Sequence, residues 1–146
     1  MADKVHVLVV ANKTASSEEL LSAMKERAEQ GPVAFHLVVP ASPRGASWAF
    51  DMNSGQGDAE SDLEGALERM RERGLEVDGE VGDPDPVAAV SDSTHAGGYE
   101  EVILSTLPKH LSKWLRVDLP RKVKAATGLP VTHVIGSEEK ARTRWT

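Results

Sequence analysis

Apolar residues arrive in this chain as short runs separated by stretches of helical spacing. The first run, Val5-His6-Val7-Leu8-Val9-Val10-Ala11, is almost unbroken and rich in β-branched residues. Such a run fits a strand covered on both faces, because neither side of its pleat has to meet water. Asn12 to Ser16 make the turn after it. Ser16 or Ser17 caps the following helix, with Glu18 and Glu19 in the first turn, where the helix dipole favours negative charge. Leu20, Leu21, Met24 and Ala28 then recur at helical spacing, and Gly31-Pro32 ends the helix. Val33 to Val39 is a second strand, closed by Pro40.

Residues 41–57 have no clean period and hold several glycines. At about 17 residues this loop exceeds the usual connection, which marks it as mobile or functional. Trp48 and Phe50 within it suit a cover over the core edge better than a stacking surface for a ligand. Asp58 to Arg73 reads as a helix with Leu63, Leu67 and Met70 on one face and Gly74 at its end. From Leu75 to Val81 apolar and polar residues alternate, as in a half-exposed strand near a sheet edge. After the turn Gly82-Asp83-Pro84, Asp85 has the place of an N-cap and Pro86 that of a first helical residue. This helix runs from Val87 to about His95 and stops at Gly97-Gly98.

The segment from Glu101 to Val131 is the one that invites a site. Val102-Ile103-Leu104 is a fourth strand, followed by the small hydroxyl residues Ser105 and Thr106 and by an irregular segment with Pro108 and Pro120. A helical pattern then ends at Gly128, and Val131 to Ile135 is a fifth strand. Five strands alternating with four helices give an α/β domain. It is a single open, parallel five-stranded sheet with helices on both faces, since each crossover is long enough for a right-handed βαβ unit. The domain covers residues 1–137 and leaves 138–146 as a charged tail. Ligands of such sheets bind outside the carboxyl ends of the strands, where the strand order reverses. That directs attention to the loops after Ala11, Pro40, Val81 and Leu104.

Composition narrows the function classes. The chain has 146 residues and a net charge of -6, which speaks against a general nucleic-acid or anionic-membrane surface. No run approaches the roughly 18 apolar residues of a membrane span. The opening MADKVHVLVVA lacks the features of a secretory signal, so a cytoplasmic protein is expected. There is no cysteine, hence no disulfide, thiolate chemistry or Cys-ligated zinc. The five histidines have no metal spacing, and His6, His36 and His133 read as packed or edge residues of strands. No nucleophile elbow, P-loop or dinucleotide fingerprint is present, and Ala11-Asn12 lacks the acidic residues of a phosphoacceptor domain. Lys109, His110, Lys113, Arg116, Arg121, Lys122 and Lys124 form the most basic region. It reads first as a solvated loop and helix face, with Trp114 and Leu115 anchoring it. The alternative is attraction of phosphates or an acidic partner.

In VHVLVVANKTASSEELL, VGDPDPVAAV, GGYEEVILSTLP and TGLPVTHVI the chain resembles the universal stress proteins, from end to end apart from the tail. The resemblance implies the strand order 3-2-1-4-5, a Rossmann-like fold of the adenine nucleotide alpha hydrolase-like kind, and a homodimer. ATP-binding members of that family carry Gly-x2-Gly-x9-Gly-(Ser/Thr) after strand four. Glycines there let the backbone close on phosphates, and N–H groups hold the charge. In this chain the first two glycine positions fall on Ser105 and Pro108. With one residue fewer between, the third glycine and its hydroxyl neighbour fall on Val117 and Asp118. Pro108 lacks an N–H donor, and a carboxylate at Asp118 repels phosphate. Asn12 stands where the ATP-binding branch has an acidic residue, whereas Gly82 and Pro84 match the family pattern.

Two readings follow. The first is a non-enzymatic regulatory or stress-response module with a degenerate nucleotide site and no cofactor, acting through protein contact. The second is a sensor of an adenosine nucleotide, AMP more than ATP, in a rebuilt pocket of Asn12, Thr14, Gly82, Ser105 and Thr106, with Lys109 or Lys113 at the phosphates. An adenylyl-transfer enzyme is a weaker third, for want of a glycine-rich or His-rich signature. The expected dimer contact is the strand-five edge, at Pro130, Val131, His133 and Ile135.

Overall fold

The computed structural model describes residues 4–11, 14–41, 54–95, 97–107 and 118–136, with backbone alone at 54–58. Its strands are β1 (Val5–Val10), β2 (Val33–Pro40), β3 (Val77–Gly82), β4 (Glu101–Thr106) and β5 (Val131–Ile135). Its helices are α1 (Glu18–Glu29), α2 (Ser54–Glu72), α3 (Pro86–His95) and α4 (Leu119–Thr127). The strands form one parallel sheet in the order β3-β2-β1-β4-β5, as the sequence led us to expect. The order reverses between β1 and β4.

Period-two alternation sorts the apolar side chains into two layers. Val7, Val9, Phe35, Leu37, Val39 and Ile103 pack with Leu20, Leu21, Met24, Leu63, Ala66 and Met70 of α1 and α2. On the opposite face, Leu8, Val10, Val38, Val102 and Leu104 pack with Ala89, Val90, Leu119 and Val123 of α3 and α4. Because helices cover both sides, β1 can be apolar at every position from Val7 onward, and Val7 to Ala11 are wholly buried.

Three boundaries differ from the sequence reading, each for a local reason. The helix expected from Asp58 begins at Ser54, so the loop is shorter than thought. Gly55 and Gly57 disguised this start, because glycine costs about 1 kcal/mol in a helix relative to alanine. The remainder of that loop, with Trp48 and Phe50, lies outside the described residues. Leu75 belongs to the end of α2 and not to β3. Its N–H donates to Met70 O at 3.1 Å, and Gly74 N–H donates to Arg71 O at 3.0 Å with Gly74 at φ 82°. That is the Schellman closure, whose apolar second residue folds back on the helix. Finally, β4 runs on through Ser105 and Thr106, so its loop starts after Thr106 and not after Leu104.

Ser17, in extended conformation, is the cap of α1, its hydroxyl accepting from Leu20 N at 3.1 Å. Arg27 near the end of α1 donates to Glu101 of β4 at 2.9 Å. Glu18 faces Arg69 at 2.7 Å and Arg73 at 2.9 Å on α2 and just beyond it. The Arg27–Glu101 pair is half-buried, whereas the exposed pairs of Glu18 add little energy and serve mainly to orient the helices. The stability comes from the two layers. Leu8→Ala, at a fully buried position of the central strand, is therefore expected to lose about 2–5 kcal/mol. The urea midpoint measures it.

Candidate functional site

The carboxyl ends of β1 and β4 flank the point where the strand order reverses, and hydroxyl groups gather there. After β1 the chain turns back through Thr14, whose carbonyl accepts from Ser17 N at 3.0 Å. This turn lays Thr14 over the end of β4, where its Oγ1 lies 2.6 Å from Ser105 Oγ. Thr14, Ser17, Ser105 and Thr106 are all buried. Gly136 closes the group from β5. Its N–H donates to Thr106 O at 2.7 Å, and a Cβ there would stand 2.9 Å from Thr14 Cγ2 and 3.0 Å from Ser17 Oγ. No side chain larger than hydrogen fits that position.

Thr106 points to the other face of the sheet, by strand alternation. Its hydroxyl donates to Leu107 O at 2.9 Å. Having one proton, it must accept from His133 Nε2, 2.8 Å away, which fixes the Nε2–H form of the ring. His133 as a residue is exposed, yet partial burial of its ring lowers its pKa below the ordinary histidine value. Neutral His133 is thus the form that suits this contact.

Gly82 ends β3, on the far side of β2 from the hydroxyl group. Its carbonyl accepts from Ala41 N at 3.1 Å. A Cβ on it would meet Val38 Cγ1 at 2.7 Å and Ala89 Cβ at 3.0 Å, so its bareness lets α3 sit close to the sheet. Asp85 caps α3 as expected, its Oδ1 accepting from Val87 N at 3.0 Å. The structure thus joins Thr14 to Ser105, sets Thr106 beside them on the opposite face, and keeps Gly82 apart. Asn12, Lys109 and Lys113 lie outside the described residues, as do Pro108, Trp114, Leu115 and Val117.

Asp118 has a left-handed backbone, φ 55°, and caps α4 without a side-chain hydrogen bond. Left-handed backbone is glycine's natural place, and aspartate is among the few other residues that tolerate it. The Asp118 carboxylate lies 3.6 Å from Arg121. Of the basic stretch, Arg121, Lys122 and Lys124 on α4 are exposed.

Sequence reasoning took Ser17 only as a cap and passed over Gly136, although a glycine closing the last strand was a signal of close approach. It also passed over a cleft of about 440 Å³ at the amino ends of the strands, lined among others by His6, Ala34, His36, Asp78, Gly98 and Tyr99. Among the described residues no acid and histidine cluster is fit to hold a metal ion. No helix among them is long and apolar enough to cross a membrane.

No protein-family model matches this sequence, and no curated protein matches it. Solved structures do. A universal stress protein from Archaeoglobus fulgidus, in complex with dAMP, superposes with a TM-score of 0.62 at 18% identity, covering 92% of this chain and 99% of that one. One from Arabidopsis thaliana with AMP bound gives 0.64 at 12% identity over 93% and 94% of the two chains. A member of the same family from Burkholderia pseudomallei gives 0.60 at 14% identity over 88% and 93%. The fold of this chain is that of the universal stress proteins.

Because Thr14 and Ser105 satisfy each other in a buried place, removing one orphans the other. Ser105→Ala is expected to lose about 1–3 kcal/mol, and the double variant Thr14→Val/Ser105→Ala less than the sum of the two singles. A double-mutant cycle in urea measures that coupling.

Proposed function

We propose that this chain is a non-enzymatic regulatory or stress-response module whose carboxyl-end site does not hold ATP in the manner of the ATP-binding universal stress proteins. The observation that carries this reading is Ser105. At the position where the family motif has its first glycine, the chain has a side chain that is fully buried and spent on Thr14. Asp118 supports it from the other end of the loop, because a carboxylate stands where phosphate charge would have to be met. The output we assign is contact with another protein; among the described residues no group joins a nucleophile, a base and an oxyanion donor.

A second reading rests on the ligands of the structural neighbours. The Archaeoglobus and Arabidopsis proteins hold dAMP and AMP respectively. An adenosine monophosphate carries fewer charges than ATP, and the pocket of Asn12, Thr14, Gly82, Ser105 and Thr106, with Lys109 or Lys113 at the phosphate, is the one we assign to it. Thermal melting with millimolar ATP, ADP, AMP or dAMP, with and without magnesium, separates the readings. A micromolar ligand at that excess adds about 4 kcal/mol, a rise of about 10 °C for a domain of this size. We expect no rise with ATP and magnesium. A rise with AMP alone selects the sensor reading, whereas ATP binding or ATP turnover removes the first reading.

We also propose a homodimer through β5. Among the described residues it is an edge strand, paired on one side only, and Ile135 is 51% exposed, the one large apolar side chain so exposed among them. Pairing two copies at Val131, His133 and Ile135 covers both the edge and that side chain. Light scattering is expected to give twice the mass of one chain, and Ile135→Asp to give the mass of one. A single-chain mass for the unaltered protein rejects the dimer.

A further inference from the structure

β2 and β3 pair with His36 opposite Asp78 and Val38 opposite Glu80. Alternation sends the side chains of residues 36, 78 and 80 to the same face. There His36 Nδ1 lies 2.8 Å from Asp78 Oδ1, and Nε2 lies 2.7 Å from Glu80 Oε2. An ionised carboxylate only accepts, so both contacts are hydrogen bonds only when both ring nitrogens carry protons. In the neutral ring one nitrogen would turn a lone pair toward a carboxylate oxygen. The arrangement is therefore that of an imidazolium. The ring is the sheltered partner, at 18% exposure against 78% for Asp78 and 59% for Glu80. Tyr99 stands beside it, ring centres 6.1 Å apart.

Other charged and titratable groups surround the clamp. His6 of β1 lines the same cleft, and so does Glu76, which precedes β3 and pairs with Lys4 at 2.6 Å. Tyr99 and Glu100 come from the segment before β4, and Asp92 and His95 from α3 are exposed. None of these bonds the ring of His36 in place of the two carboxylates. The strand held by the clamp is a weak one. Among the described residues β3 is an edge strand that pairs only with β2, and two of its residues are glycines, Gly79 and Gly82.

We propose that His36 is a proton-operated latch on β3. As imidazolium it ties Asp78 and Glu80 across the β2–β3 edge and closes the rim of the cleft. On losing its proton it releases one carboxylate, and β3 loosens toward Gly82 at the carboxyl edge of the sheet. The titration runs in the matching direction. Burial of the ring pulls its pKa down, but the hydrogen bonds to Asp78 and Glu80 and their charges outweigh that, leaving it above the ordinary value of 6.5. A histidine raised on folding adds its stability in full below the unfolded pKa and loses it as pH rises through the folded one. The latch is closed below the ordinary histidine value and opens as pH rises through the raised one.

Nitrogen-resolved NMR of the whole protein tests this between about pH 6 and about pH 8.5. We expect both ring nitrogens of His36 to be protonated at the lower pH, with a midpoint above the free value. Amide protection of Val77–Gly82, corrected for intrinsic exchange, should fall about threefold or more across the range while β1 stays unchanged. His36→Gln should remove that pH dependence. If His36→Gln does not fold, Glu80→Gln, at an exposed position, should lower the His36 midpoint. A midpoint at or below the free value, β3 protection that ignores pH, or an unmoved midpoint in Glu80→Gln overturns the latch.

Discussion

Between Val7 and Ala11 the chain meets no water, with β2 and β4 on its flanks and helical layers above and below. Backbone N–H and C=O groups in such a place must all be satisfied by neighbouring strands, since an unpaired one costs about as much as a lost hydrogen bond. That requirement explains much of what surrounds β1. Both neighbours must be strands in register, and both faces must be roofed by apolar helix stripes. Ladder pairing ends at Val10, but Ala11 N–H still finds Val38 O at 3.2 Å. The chain can then leave the sheet only through a polar turn. Thr14 and Ser17 are that turn's means of satisfying itself without solvent.

The carboxyl edge of the sheet follows from the same constraint. A ligand-binding edge needs donors aimed outward, and glycine is the residue that frees backbone N–H groups for this. Here the hydroxyls of Thr14 and Ser105 are turned toward each other, and Gly136 is pressed against Thr14 and Ser17. Polar capacity that a phosphate site would present to solvent is used to seal the end of the core. The Ser105 hydroxyl, wholly buried and bonded to Thr14, makes this part of the edge a closure of the core.

Much of this was legible in the sequence, because the strongest signals are periodic. The almost unbroken apolar run of β1, the alternation of β3 and the helical spacing of Leu20, Leu21 and Met24 gave the elements and their order along the chain. Where reading failed, two local rules competed. Gly55 and Gly57 look like a loop although a strong helix follows and carries them along. Leu75 looks like the first inward residue of a strand, yet the αL glycine before it turns it back onto α2. The site was half legible. The small hydroxyl at Ser105 is visible in one letter, but that its partner is Thr14 depends on a contact across 91 positions, which no local pattern encodes. The His36 clamp was illegible for the same reason, since Asp78 and Glu80 read as the solvent face of an alternating strand.

The two edges of the sheet differ in a way that bears on how the chain meets others. Edge strands invite pairing unless charge, glycine or distortion discourages it. On β3, Asp78 and Glu80 are exposed and negative, and Gly79 has no room for a side chain, its Cβ position lying 2.6 Å from Leu37 O. Two such strands brought together would set carboxylates against carboxylates. β5 carries no formal charge apart from what His133 can acquire, and burial of that ring disfavours the charged form. Its outer side offers Ile135 instead. Repulsion guards one edge and apolar exposure marks the other, so of the two edges β5 is the direction in which pairing would be less opposed. That direction lies beside Thr106, whose hydroxyl holds His133 at the rim of β4, so a partner on β5 would touch the residue that also borders the hydroxyl closure.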